Sequence, residues 1–189
     1  MTDPLVPGKK CTTCLDCNMW RDCRYPFMPP TWASTGDALT GPPVSPCIMV
    51  VGEAPGETED FEGRQFVGRS GKLLRKTLKK YGIDIEQVVF QNAVRCRPPD
   101  NKLQGAAPIN ACRDFLLQDI ERIRPKAIFL CGAKAVQSVL KKSGISKKRM
   151  QLLSYELSDG TNIPVVAGYH PAYVLRSQNQ LPRFEQDVK

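Results

Sequence analysis

Apolar runs without alternation punctuate the chain. Cys47-Ile-Met-Val-Val51 is one, the pattern expected of a strand covered on both faces of a parallel sheet. Val88-Val-Phe-Gln-Asn-Ala93 and Ala127-Ile-Phe-Leu-Cys131 read the same way. Ile163 to Ala167 is the last strand, and Gln151 to Leu157 precedes it across Ser-Asp-Gly-Thr-Asn, a hairpin connection. Helical spacing fills the gaps. From about Ser70, placed as an N-cap, Leu73, Leu74, Leu78 and Tyr81 share a stripe, Lys72, Arg75, Lys79 and Lys80 lie elsewhere, and Gly82 ends the helix. Further helices are expected over about 109–123, with Phe115, Leu116 and Ile120 inward, and from Ala133 to Lys142. The chain after Arg176 is short and polar, helical or frayed. Strands alternating with helices predict an α/β fold with a largely parallel sheet and right-handed crossovers.

The first strand stops at Gly52, and Gly52, Pro55 and Gly56 impose a tight loop. Glu53, Glu57, Glu59 and Asp60 crowd it. Such a loop is either a solvated acidic turn or a ligand site, since α/β sheets bind ligands at the carboxyl ends of strands. Residues 24–46 hold six prolines and form an irregular stretch, long for a compact domain. A single domain over 1–189 is expected: an arm and Pro-rich loop over 1–46 and an α/β core over 47–189.

Composition narrows the partners. The formal charge is +8 and the pI about 9.1, which favours a polyanion, nucleic acid above all. No run approaches a transmembrane helix and Met1 to Lys10 has no apolar signal core, so the expectation is a cytoplasmic protein with no membrane partner. Eight cysteines in that setting point to a metal or cluster site rather than a disulfide scaffold. Cys11, Cys14, Cys17 and Cys23 form overlapping pairs, spaced so that one metal could be held from a single turn. Cys47 and Cys131 sit in strands and are expected to pack as small hydrophobes. His170 is the one histidine.

Three loops leave carboxyl strand ends: Gly52–Asp60, Asn92–Lys102 and Tyr169–Arg176. In a parallel sheet they share one edge and should line one cleft. No Gly-Lys-Ser/Thr phosphate loop, Gly-x-Gly-x-x-Gly after a strand or Gly-x-Ser-x-Gly elbow is present, which disfavours nucleotide hydrolysis, dinucleotide redox chemistry and serine hydrolysis. Val51-Gly-Glu-Ala-Pro-Gly-Glu57, Gly63-Arg-Gln-Phe-Val-Gly-Arg-Ser-Gly-Lys-Leu-Leu74, Asn92-Ala-Val-Arg-Cys-Arg-Pro-Pro-Asp-Asn101 and Tyr169-His-Pro-Ala-Tyr-Val-Leu-Arg176 occur in order. Together they make residues 11–185 resemble the uracil-DNA glycosylase superfamily, most of all its iron–sulfur family 4 branch.

The resemblance implies a three-layer α/β/α domain with a mostly parallel four-stranded central sheet. It implies a monomeric, monofunctional glycosylase of base-excision repair that flips uracil from single- or double-stranded DNA into a pocket. The base would contact Glu53, Ala54, Gly56, Phe66, Asn92 and His170. Phe66 would stack on it. Asn92 would pair with its Watson–Crick edge, giving to O4 and taking from N3–H. His170 would give a hydrogen bond to O2 as charge develops there. Glu53, the third catalytic candidate beside Asn92 and His170, would position water or stabilise a cationic sugar, with Glu57 as its alternate and Asn101 as a helper. Other branches carry an Asp where this chain has Ala54, so the water lacks that base. DNA would be gripped by Arg64, Arg69, Ser70, Gly71, Lys72, Arg95 and Arg97, and the duplex entered by Tyr173, Val174, Leu175 and Arg176, with Val174 or Leu175 as wedge.

A [4Fe-4S] cluster is implied on Cys14, Cys17, Cys96 and Cys112, with Cys11 and Cys23 spare. The first pair stays open between Cys14/Cys17 and Cys11/Cys14, and a metal held wholly by Cys11, Cys14, Cys17 and Cys23 is the competing reading. Gly56 stands where some relatives carry bulk against the thymine methyl. A glycosylase for another modified pyrimidine and a silent iron–sulfur DNA-binding module therefore remain alternatives.

Overall fold

The computed structural model describes residues 19, 23–25, 28–39 and 47–189. Strands β1 (Thr31–Trp32), β2 (Ile48–Gly52), β3 (Val88–Asn92), β4 (Ala127–Cys131), β5 (Leu152–Glu156) and β6 (Asn162–Gly168) form one sheet, in the order β1-β3-β2-β4-β6-β5. The central four, β3-β2-β4-β6, are parallel. The expected four-stranded sheet is therefore extended to six. The hairpin partner β5 adds antiparallel to β6, and β1, two residues inside the Pro-rich stretch, adds antiparallel to β3. Two residues carry no readable period, so β1 had no signal.

Successive strand residues face opposite sides, and both sides are covered. Met49, Val51, Ile128, Leu130 and Val165 pack under Leu116 and Ile120 of α3 (Ala107–Ile123) and Val136 and Val139 of α4 (Ala133–Leu140). Val50, Val88, Phe90 and Phe129 pack under Leu74 and Leu78 of α2 (Arg69–Lys80), Val174 of α6 (Pro171–Arg176) and Phe184 of α7 (Leu181–Val188). This is the three-layer α/β/α arrangement. Each such side chain contributes about 1.5–3 kcal/mol by burial, and double coverage is why the strands read as unbroken apolar runs. Two short helices, α1 (Glu57–Glu62) and α5 (Ile145–Lys148), and three 3-10 turns at Ile85–Gln87, Pro99–Asn101 and Gln178–Gln180 complete the elements among the described residues.

Two local expectations are corrected. Ser70 is not the cap of α2: Gly68 is, and its N–H donates to Glu59 Oε1 at 2.7 Å, so a distant carboxylate caps the helix. The stretch after Tyr169 is not all loop. Pro171 opens α6, where its missing N–H costs nothing, and Ala172 N–H donates to His170 Nδ1 at 3.2 Å. Register then aligns the edge: Gly52 pairs with Asn92, and Cys131 with Gly168. Glu53, Asn92 and His170 therefore leave the sheet on the same side.

Candidate active site

A cavity of about 630 Å³ opens at that edge. Glu53, Ala54, Gly56, Phe66, Ser70, Asn92, Asn101, Lys102, His170 and Arg176 are among the residues lining it. Residues distant in sequence meet there because parallel strands deliver every carboxyl end to one edge.

The β2–β3 wall is tightly built. The ladder runs one step past the strands, with Ala93 N–H donating to Gly52 O and Val94 N–H to Glu53 O, both at 3.0 Å. Asn92 is buried, and its Nδ2 donates to Gln65 Oε1. Phe66 lies against Phe90, centroids 4.7 Å apart. Its φ of 52° is left-handed, rare for an aromatic residue. Arg75 supports that turn: Nε donates to Phe66 O at 3.0 Å, Nη2 to Gln65 O at 3.3 Å, and Nη1 to Ala33 O. Gly52 is required by close approach, since a Cβ there would overlap Asn92 Oδ1 and come within 2.5 Å of Phe66 Cζ.

The opposite wall carries His170. Nδ1 accepts from Ala172 N–H, so the proton sits on Nε2. Nε2 is buried and has no hydrogen-bond partner among the described residues. Burial, with Arg176 adding to it, pushes the imidazole down to about 4, so it is neutral near pH 7. A buried N–H donor without an acceptor costs about 1–3 kcal/mol, which makes it a natural place for a ligand oxygen. Below it, Asp187 anchors the end of β6: its carboxylate accepts from Tyr169 N–H at 2.9 Å and from Arg149 Nε at 2.8 Å.

The acidic loop divides into two kinds of carboxylate. Glu59 and Asp60 are buried and structural. Glu59 accepts from Gly56 N–H at 3.2 Å as well as from Gly68 N–H, and Asp60 accepts from Arg24 and Tyr25 N–H at 3.1 and 2.9 Å. Glu53 lines the cavity instead. Burial raises its pKa, opposed by Lys134 and Arg176. Glu57 is exposed, with Arg97 Nη2 at 3.6 Å.

Several expected DNA contacts lie elsewhere. Arg95 is buried and paired with Asp119, and its Nη2 also donates to Phe115 O at 3.1 Å. It is a core residue, because the buried carboxylate of α3 needs a cation. Arg64 does not line the cavity; it pairs with Glu62 at 2.6 Å beside exposed Lys72 in a separate groove. Gly71 is set by packing: a Cβ there would overlap the Phe66 carbonyl. Val174 is buried against α2 and α7, so it cannot serve as a wedge. Its neighbours on α6 are freer, with Tyr173 38% exposed and Leu175 half-buried. Arg97 Nε donates to Asn101 Oδ1 at 2.9 Å, which engages the oxygen of an amide that lines the cavity. Arg69 is exposed near the start of α2.

Cys96 and Cys112 are both buried in one small cluster with Met19, Val94 and Ile109, and Cys23 packs against it. The Cys23 thiol donates to Met19 O at 3.0 Å. Cys11, Cys14 and Cys17 lie outside the described residues. Among the described residues no group of three or more His, Cys, Asp or Glu could hold a metal ion. Two buried thiols in one cluster with Met19, two positions along the chain from Cys17, suit half of a four-thiolate set. Cys47 and Cys131 are buried as expected of small hydrophobes.

Sequence reasoning passed over Gln65, Gln91 and Asp119, all buried behind Asn92. Gln91 did carry a signal: a polar residue inside a doubly covered strand must have buried partners.

Residues 40–189 match the family described as the uracil DNA glycosylase superfamily. The chain is 37% identical to the type-4 uracil-DNA glycosylase of Archaeoglobus fulgidus, covering 75% of this chain and 73% of that protein. Against the type-4 uracil-DNA glycosylase of Thermotoga maritima it is 42% identical, covering 72% and 70%. Against that of Sulfurisphaera tokodaii it is 39% identical, covering 75% and 67%. No helix among the described residues is long and apolar enough to cross a membrane.

Proposed function

The chain belongs to the uracil DNA glycosylase superfamily, and from that premise we propose that it hydrolyses the N-glycosidic bond of uracil in DNA, releasing the base and leaving the strand intact. The observation that carries this reading is the cavity that gathers Glu53, Phe66, Asn92 and His170 from three strand ends. Its volume suits one nucleotide turned out of the stack.

Each group has a task. The Phe66 ring offers a stacking face. Asn92 meets the Watson–Crick edge, where uracil shows an O4 acceptor and an N3–H donor. Cytosine reverses that pattern and would leave buried groups unpaired, a strong penalty. As the C1′–N1 bond lengthens, electrons move onto the base and charge grows at O2. The neutral Nε2–H of His170 supplies the hydrogen bond that strengthens at that moment. Glu53, as its carboxylate, faces the cationic sugar or holds the attacking water. Arg176 and Lys102 at the mouth, and the N-terminal turn of α2 at Ser70, suit the flanking phosphates. Tyr173 and Leu175 of α6 would enter the stack, a role supported by their partial exposure beside buried Val174.

A [4Fe-4S] cluster is part of the proposal. Cys96 and Cys112 would hold it together with Cys14 and Cys17. When bound, it supplies a cross-link between the N-terminal arm and the loop that follows Asn92.

The test is base release from a single-stranded oligonucleotide carrying one uracil, with alkali used to break the abasic product. Strand breaks at uracil and none at cytosine or thymine are expected. Breaks at a modified pyrimidine alone would move the activity to that base. No breaks at any base, with DNA binding intact, would overturn catalysis altogether.

A further inference from the structure

Behind Asn92 lies a chain of buried polar side chains that leads away from the cavity. Asn92 Nδ2 donates to Gln65 Oε1. Gln65 Nε2 donates to Gln91 Oε1 at 3.2 Å and to Pro29 O at 3.1 Å. Gln91 Oε1 also accepts from Asn92 N–H at 2.8 Å, and Gln91 Nε2 donates to Asp119 Oδ2 at 2.7 Å. Asp119 is held by Arg95 and, at 3.4 Å, by Arg122. Gln65 and Gln91 are fully buried, and Asn92, Asp119 and Arg95 nearly so.

The polarity of this chain is forced from its far end. A carboxylate only accepts hydrogen bonds, so Gln91 must turn its NH₂ to Asp119. Its oxygen then faces Gln65, which must answer with NH₂, as the Pro29 carbonyl also requires. The Gln65 oxygen is left facing Asn92, and Asn92 must present NH₂ to it. One orientation of the Asn92 amide satisfies every partner. The reversed orientation sets two buried oxygens against each other.

We propose that Gln65, oriented by Gln91 and Asp119, is a positioning residue that holds the Asn92 amide in the uracil-reading sense and thereby excludes cytosine. This rests on the reading of the cavity as a uracil pocket. An amide turned over about its last torsion exchanges donor and acceptor, and the exchanged pattern is the complement of the cytosine edge. Asn92 alone does not discriminate between the two bases. The neighbour that forbids the turn does. Pro29 gives the segment before β1 a part in this, because its carbonyl is one of the two acceptors that orient Gln65.

The experiment compares kcat/KM for uracil and for cytosine in otherwise identical single-stranded oligonucleotides, with affinity for an abasic oligonucleotide measured alongside. Gln65→Met fills nearly the same space without a polar atom. It should lower kcat/KM for uracil at least tenfold and raise the cytosine-to-uracil ratio at least tenfold, with abasic-DNA affinity within twofold of wild type. Gln65→Glu is the rescue. Facing the Pro29 and Gln91 oxygens, its carboxyl is held protonated, donates its one proton to one of them and still accepts from Asn92 through its other oxygen, so the cytosine-to-uracil ratio should stay near wild type even though one of the two anchoring bonds is lost. It also keeps the question answerable if Gln65→Met does not fold, because a ratio raised as far by Gln65→Glu as by Asn92→Ala overturns the proposal. A wild-type ratio in folded Gln65→Met overturns it as well. Asn92→Ala, run in parallel, separates the two levels. If that variant keeps full uracil release, the pocket reading itself fails. If it loses release while Gln65→Met keeps the ratio, only the positioning role fails.

Discussion

On the β2–β3 wall of the cavity Asn92 has its backbone N–H and one side-chain N–H engaged, each by a buried glutamine whose own partners are buried too. On the β6–α6 wall, among the described residues, His170 is held by one local hydrogen bond at Nδ1, and its Nε2–H has no hydrogen-bond partner. The Asn92 amide and the His170 Nε2 are both withdrawn from water, yet one residue is held twice from behind and the other is left one bond short. Recognition of a base edge depends on the orientation of a rigid group, so redundancy helps it. Stabilising charge that appears only in the transition state depends on a donor that no ground-state partner has already taken. The two walls differ as those two tasks differ.

Removing the open donor should have the largest effect. His170→Ala is expected to lower kcat for uracil release by about 10²–10³-fold, the range for loss of one such hydrogen bond. Binding of uracil-containing DNA should change little, because the bond gains its strength after binding. Thermal stability should hold or rise, since an unsatisfied buried N–H disappears. Steady-state kinetics beside a melting curve checks all three. Equal losses in binding and in kcat would make His170 an ordinary contact.

The same isolation has a signature in pH. The folded protein keeps the His170 imidazole unprotonated down to about pH 4, whereas a free imidazole takes its proton near 6.5. Between those values the unfolded chain binds more protons than the folded one, so stability falls as the pH drops through that window and is fully present above it. The loss amounts to about 3 kcal/mol by pH 4, at 1.36 kcal/mol per unit. Urea midpoints across pH 7 to 4 should show a decline in wild type that is shallower in His170→Ala by that amount. Parallel declines would mean that the imidazole is not desolvated.

The difference between the walls also marks what was legible in the chain. Loop ends of parallel strands declare themselves through Gly, Pro and a lone His after an apolar run, so Glu53, Asn92 and His170 could be placed on one edge before any coordinates. The support behind them could not. Gln65 lies in a short turn with no period, and Asp119 appears on a helix as one more charge among Arg113, Asp114 and Glu121. Arg95 reads as a DNA contact because spacing conveys nothing about the carboxylate that draws it inward. Val174 and Leu175 are adjacent in a short helix, and only packing against α2 and α7 decides that the first is core. Glu59 and Asp60 read as a crowded acidic turn because their partners are backbone N–H groups on Gly56, Gly68, Arg24 and Tyr25, which any sequence could supply.

The rigidity of the β2–β3 wall can be probed with one methyl group. In Gly52→Ala the new Cβ would overlap Asn92 Oδ1 and approach Phe66 Cζ. Neither neighbour can retreat cheaply. Asn92 is tied to Gln65, and the Phe66 ring rests on Phe90 while Arg75 holds its backbone. Overpacking of this kind costs about 1–3 kcal/mol, and any relief must come from displacing the amide that reads the base. Gly56→Ala is the control. Its Cβ would meet the end of the Glu59 side chain at 2.8 Å, on a loop with the cavity open beside it. Denaturant midpoints and uracil kcat/KM should both fall further in Gly52→Ala than in Gly56→Ala. A wall that absorbed the first methyl as readily as the second would be compliant, and a compliant wall could not keep the Asn92 amide from turning.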